Sequence, residues 1–188
     1  MELSEKSRST LLELARIALR QRLIPSDTPP PNLEMSPELM QPAGCFVSLH
    51  EIGTHKLRGC VGRIDAVKPL CETVYLTAGE TLADPRFINQ RVTGEELSKL
   101  TLEISVLSPS REAADVLDFD LLEDGIYLTM GNRAGFFLPQ VARETGWSKE
   151  QLLDRLCAEK LGLHPQVWQR PGVKLYTFKI IVVGPEPF

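Results

Sequence analysis

Residues 44–65 read GCFVSLHEIGTHKLRGCVGRID, and the fold turns on how this stretch is read. Two β-like runs flank Gly53-Thr54, which reads as a hairpin turn. Residues 57–62, Leu-Arg-Gly-Cys-Val-Gly, then make up most of the second strand. An interior glycine weakens a strand, because it packs no side chain and has more backbone freedom to lose. Two glycines around one cysteine therefore imply that something approaches the backbone closely, or that the chain bends there.

Working outward, the chain before the hairpin opens with an amphipathic helix over 4–23. Ser4 can cap it, and Leu11, Leu14, Ala15, Ala18 and Leu19 share one face. Residues 25–42 hold six prolines and little periodicity, and read as an extended surface connector. After the hairpin, Pro69 suits a first helical position and LCETVYLTAGETLA continues the helix. Asp84-Pro85 stops it, since a residue before proline is pushed out of the helical region. Thr93-x-x-Glu96 reads as a capping box, and LTLEISVLSPS alternates as a half-buried strand.

The same plan recurs. GIYLTMGNRAGFFLP reads as a second hairpin turning at Asn132-Arg133-Ala134. Pro139 opens a short helix ending near Gly146. Ser148-x-x-Gln151 caps another, which runs to Gly162, and KLYTFKIIVVG closes the chain as a strand. The order hairpin, helices, strand thus occurs twice, over about 43–110 and about 115–184. The expected fold is α+β: one domain over 1–188, with possible subdomains at the two repeats, a mixed β-sheet and helices outside.

The 188 residues suffice for a core without disulfides or metal. Net charge is -4 with the basic residues scattered, which points away from nucleic acid. The N-terminus lacks the basic start and apolar run of a signal peptide. No stretch approaches the roughly 18 apolar residues of a membrane helix. The expectation is a cytoplasmic protein with reduced thiols at Cys45, Cys60, Cys71 and Cys157. No Cys-x-x-Cys pair occurs and the three histidines are scattered, so neither a metal site nor a cofactor is expected. His50 and His55 flank the first turn and read as solvated.

Side chains alternate along a strand, so Arg58, Cys60 and Gly62 share one face, with Leu57 and Val61 on the other. At that spacing the Arg58 guanidinium favours the Cys60 thiolate. Gly62 leaves space beside the sulfur, and Gly59 lets the backbone bulge. Against this, a free cysteine commonly packs as a small hydrophobe, and Arg58 can pair with an acid. In residues 83–87, ADPRF, Asp84 marks a turn from which Arg86 projects, either as a helix stop or facing the cysteine strand. Gln140 lies in the first turn of a helix, where free N–H groups can receive an anion, or at an ordinary strand-to-helix junction.

KLRGCVG, DPRF, DGIYL, GFFLPQVARETGW and LLDRLCAEKLGL, in this order and spacing, resemble the AMMECR domain proteins, also called AmmeMemoRadiSam system protein A in prokaryotes. The resemblance covers nearly the whole chain and implies an α+β fold with two β-rich repeats sharing a barrel-like mixed β-sheet, helices outside. It implies association with a Memo-like protein and a radical S-adenosylmethionine protein in a shared modification pathway. It leaves two classes of role open. As an enzyme component, Cys60 is nucleophile or acceptor with Arg58 its partner, Gly59 and Gly62 supply backbone N–H groups, and Asp84, Arg86 or Gln140 contact the substrate. As a binding module, the same groove holds a peptide or small anion and Cys60 only packs.

Overall fold

The computed structural model describes residues 2–24 and 33–188. Its strands are β1 (Cys45–Glu51), β2 (Leu57–Arg63), β3 (Leu100–Leu107), β4 (Arg111–Glu112), β5 (Gly125–Met130), β6 (Arg133–Phe137), β7 (Val173–Phe178) and β8 (Ile180–Pro187). Its helices are α1 (Glu5–Leu23), α2 (Leu70–Thr81), α3 (Pro139–Thr145) and α4 (Lys149–Arg155). The chain divides into two compact units, Met1–Leu107 with Ile181–Phe188, and Ser108–Ile180.

In the first unit the strand order is β2-β1-β3-β8, with β1 antiparallel to both β2 and β3. Period-two alternation puts Cys45, Val47 and Leu49 of β1 and Leu102, Ile104 and Val106 of β3 on one face, all without solvent exposure. Leu11, Ala15 and Leu19 of α1 and Leu70, Val74 and Ala78 of α2 close over that face as one cluster. Each such side chain contributes about 1.5–3 kcal/mol on leaving water. Ser4 caps α1, its Oγ accepting the Ser7 N–H at 3.2 Å.

In the second unit the order is β4-β7-β5-β6. Ile126, Leu128, Leu175 and Phe137 form its core with Leu152, Leu153 and Leu156 from α4 and the turn that follows it. Ser148 and Gln151 form the expected capping box. The helix leaves α4 as a π turn over Leu156–Leu161, and Gly162, at φ 63°, ends it in the left-handed conformation.

The α+β class, both hairpins and the caps agree with the sequence reading. The sheet does not close into one shared barrel: two separate four-stranded sheets form, each over its own apolar cluster. The terminal stretch KLYTFKIIVVG holds two strands. β7 joins the second sheet and β8, beginning at Ile180 after the single intervening residue Lys179, joins the first. Alternation fixes which face of a strand is buried and says nothing about which sheet receives its edge. The second turn is Gly131-Asn132, because Met130 pairs with Arg133 and Gly131 supplies a φ of 59°. Pro69 is the N-cap of α2 and not its first residue. Of the proline-rich connector, residues 25–32 lie outside the described residues. Pro37–Met40 form a 3-10 turn, and Pro42 makes a bridge with Pro69.

Candidate functional site around Cys60

β2 is the edge strand of the first sheet, so alternate backbone groups along it lack a strand partner. At Cys60 the DPRF turn supplies one. The Cys60 N–H donates to Asp84 Oδ2 at 2.9 Å, and Arg86 Nη2 donates to the Cys60 carbonyl at 2.9 Å. Asp84 caps its own turn through the Arg86 N–H at 3.0 Å. It also takes Arg86 Nη2 at 2.7 Å and Nε at 3.1 Å.

Gly59 explains how the turn gets there. The last residue of α2, Thr81, bonds the Val47 carbonyl through its hydroxyl and lies against β2. A Cβ on Gly59 would stand 2.8 Å from the Thr81 carbonyl oxygen. Only glycine lets the helix end come that close, and the chain leaving α2 then delivers Asp84 and Arg86 to the strand edge. Gly62 serves differently. The Phe46 ring lies over it, with a ring carbon 2.1 Å from where a Cβ would be. The room beside Cys60 that the sequence reading gave to Gly62 is filled by this ring. The two glycines around Cys60 thus admit a helix terminus on one face and an aromatic ring on the other.

Arg58 takes no part in the Cys60 set. Leu49 pairs with Gly59 but His50 pairs with Leu57, so Arg58 is an extra residue in a bulge. The bulge falls beside Gly59, and its effect is to re-aim Arg58. The Arg58 guanidinium goes to Glu96 at 2.9 Å, Glu51 at 3.4 Å and the Gln90 carbonyl at 3.3 Å. It lines a separate cavity of about 240 Å³ with Glu51, Ile52, Glu96, Lys99 and Leu100. The guanidinium that acts on Cys60 is that of Arg86.

Burial pushes the half-buried Cys60 thiol above its ordinary pKa. Arg86 opposes the rise by charge and hydrogen bonding, while Asp84 and Glu103 add to it. Asp84 moves the other way. Its hydrogen bonds from Arg86 outweigh its burial, and with the N–H groups of Cys60 and Arg86 they hold its carboxyl at about 2. Cys45 is buried and pushed up to about 12. The site therefore pairs a fixed carboxylate and an exposed guanidinium with a neutral thiol. That set suits hydrogen-bonded recognition better than attack by a thiolate.

Of the sequence-predicted residues, Cys60, Gly59, Asp84 and Arg86 come together, Gly62 borders them under Phe46, and Arg58 serves another cluster. Gln140 belongs to the second unit, as the second residue of α3. Its Oε1 is buried without a hydrogen-bond partner among the described residues. Sequence reasoning passed over Ser48 and Glu103. Ser48 lies opposite Cys60 on β1 and Glu103 opposite Ser48 on β3. Their signal was polar alternation within FVSLH and LTLEIS, which marks the face without naming the neighbour. No three of the described His, Cys, Asp and Glu residues form a group able to hold a metal ion. No described helix is long and apolar enough to cross a membrane.

A family model, AMMECR1, matches residues 12–183. A protein of Methanocaldococcus jannaschii, MJ0810, is 36% identical over 155 residues, covering 78% of this chain and 76% of its own. A protein of Methanothermobacter thermautotrophicus is 35% identical over 188 residues, 94% of this chain and 93% of its own. The crystal structure of the uncharacterized protein PH0010 from Pyrococcus horikoshii superposes with a TM-score of 0.82, at 27% identity and over 100% of both chains.

Proposed function

This chain belongs to the AMMECR1 family, and on that premise we propose that it is a binding component of a modification pathway whose Cys60–Arg86 face holds a peptide segment or a small anion. The observation that carries this reading is the state of Cys60. Its thiol is held protonated by burial, and both its backbone groups are tied down by Asp84 and Arg86. Arg86 meanwhile keeps 58% of its side chain exposed. Its Nη1 has no hydrogen-bond partner among the described residues, so it is the donor left for a ligand carbonyl or carboxylate.

The companions are a Memo-like protein and a radical S-adenosylmethionine protein, as the family resemblance implies. In this reading Cys60 supplies shape and a neutral hydrogen-bonding atom, and the chemistry belongs to the companions. The setting is cytoplasmic, where Cys60 stays reduced.

The test measures the affinity of a purified Memo-like companion for the parent, Cys60→Ala and Arg86→Ala proteins. Cys60→Ala is expected to bind as the parent does. Arg86→Ala is expected to bind about tenfold more weakly, the loss of one charge-assisted hydrogen bond. Arg86→Lys serves as the second variant, keeping the charge but not the two-pronged contact with Asp84. Equal binding by all four proteins, or a Cys60→Ser protein that binds normally but stops turnover in the reconstituted pathway, would overturn the reading in favour of an enzyme.

A further inference from the structure

The second unit is one continuous stretch, Ser108–Ile180, inserted in the sequence of the first between Leu107 and Ile181. Its two ends are zipped together. The Ser108 N–H donates to the Lys179 carbonyl at 2.9 Å, and the Lys179 N–H donates to Ser108 Oγ at 2.9 Å. Further in, Arg111 pairs with Thr177 and Glu112 with Tyr176, and the Ala113 N–H donates to the Leu175 carbonyl at 2.9 Å. Lys179 is held once more through its side chain, with Nζ 2.9 Å from Asp124 Oδ1. Residues 108–113 and 175–179 thus form a two-stranded clasp at the base of the unit. It directly follows the last residue of β3, Leu107, and directly precedes the first residue of β8, Ile180.

β8 is the outer strand of the first sheet, beside β3, and its own hold there is slight. Of its eight residues only Val183 is fully buried. Ile181 and the terminal Phe188 pack against the core in part. Pro185 and Pro187 have no N–H to give a neighbouring strand. The remaining contacts lie near the surface. Arg8 Nη1 donates to the Val182 carbonyl at 2.9 Å, and Arg16 Nη2 reaches the Pro187 carbonyl at 2.9 Å and Glu186 at 3.1 Å. The Phe188 N–H donates to the Leu100 carbonyl at 3.0 Å. A strand that buries so little stays in place only where bringing it there costs little entropy. With the second unit unfolded, about 70 residues of flexible chain separate β3 from β8. Closing a loop of that length is disfavoured several-hundredfold relative to a one-residue tether. The clasp removes that cost.

We propose that this clasp is a conformational device: the folded second unit holds β8 on the first sheet, and β8 is released when the second unit opens. The coupling runs through the two chain crossings at Ser108 and Lys179. Whatever stabilises the second unit therefore secures β8, and release of β8 bares the edge of β3 with its unpaired backbone groups.

The test is amide hydrogen exchange, followed by NMR, in the full-length parent and two insertion variants. One variant carries six Gly and Ser residues between Lys179 and Ile180, which lengthens the tether from the clasp to β8. The other carries the same six between Leu122 and Glu123, in the loop joining β4 to β5 and outside the clasp. The tether variant is expected to lose roughly tenfold in protection at the amides of β8 and Phe188, with the amides of β1 and β5 at parent values. The loop variant is expected to match the parent at β8. Leu153→Asp gives a second reading, because it places a charge in the second core where Leu153 has no exposure. With the second unit unfolded, β8 is expected to lose at least a hundredfold in protection while the β1 amides stay protected. If this substitution unfolds the first unit as well, the insertion pair decides alone. The proposal is overturned by β8 amides that keep parent protection in the tether variant, or that lose as much in the loop variant. It is overturned equally by β8 amides that stay protected in Leu153→Asp when those of β5 do not.

Discussion

Asp84 accepts the backbone N–H of Cys60 at 2.9 Å, joining positions 24 residues apart in the chain. The bond does for an edge strand what a neighbouring strand would do. It also fixes the geometry of everything near the thiol, because Arg86 completes the same clamp from the other side of Cys60.

The clamp gives the fold an acid-sensitive element. The Asp84 carboxyl stands at about 2 in the folded protein, against about 3.9 in an unfolded chain. A carboxylate whose folded pKa is depressed contributes stability that is complete above the unfolded value and is lost as pH falls toward the folded one. Asp84→Asn is therefore expected to lose roughly 2 kcal/mol at neutral pH. In urea denaturation, the gap between parent and variant should close between about pH 4 and about pH 2. A gap that stays constant across that window would show that the charge contributes nothing.

Gly62 makes a steric prediction. Gly62→Ala forces its methyl into the Phe46 ring and is expected to cost about 1–3 kcal/mol. Phe46→Leu removes the obstructing ring, so the double variant should be more stable than the two single losses added together. Strict additivity in a thermal-melt cycle would mean that ring and glycine do not compete for the same space.

The two arginines separate cleanly. Arg86→Ala removes the cation that lowers the Cys60 pKa and should push the midpoint of alkylation still further above the ordinary thiol value of about 8.5. Arg58→Ala should leave that midpoint where it is and instead destabilise the protein, because Glu51 and Glu96 lose their shared partner. Were Arg58→Ala to move the Cys60 midpoint by as much as Arg86→Ala, the assignment of the two guanidiniums would be reversed.

The local features were legible in the sequence because their causes are local. Ser4, Thr93 and Ser148 cap helical turns through groups within three residues, and the alternation in FVSLH and LTLEIS marks buried and open faces. The Asp84-Pro85 stop and the Gly146 and Gly162 terminations depend only on backbone angles near each residue. The sequence also marked Cys60, Asp84 and Arg86 as residues of interest.

What it did not determine was partnership. Arg58 lies two residues from Cys60 yet serves Glu51 and Glu96, because one extra residue in β2 shifts the register and re-aims its side chain. Arg86 lies 26 residues away and touches Cys60, because Gly59 admits the end of α2. Likewise β7 and β8 read as one strand and entered two sheets. Sequence by itself set the elements, their faces and their ends, through propensity, alternation and capping. Tertiary structure decided which charge meets which thiol and which edge meets which sheet. Those outcomes depend on register and close approach, which arise only when distant segments pack together.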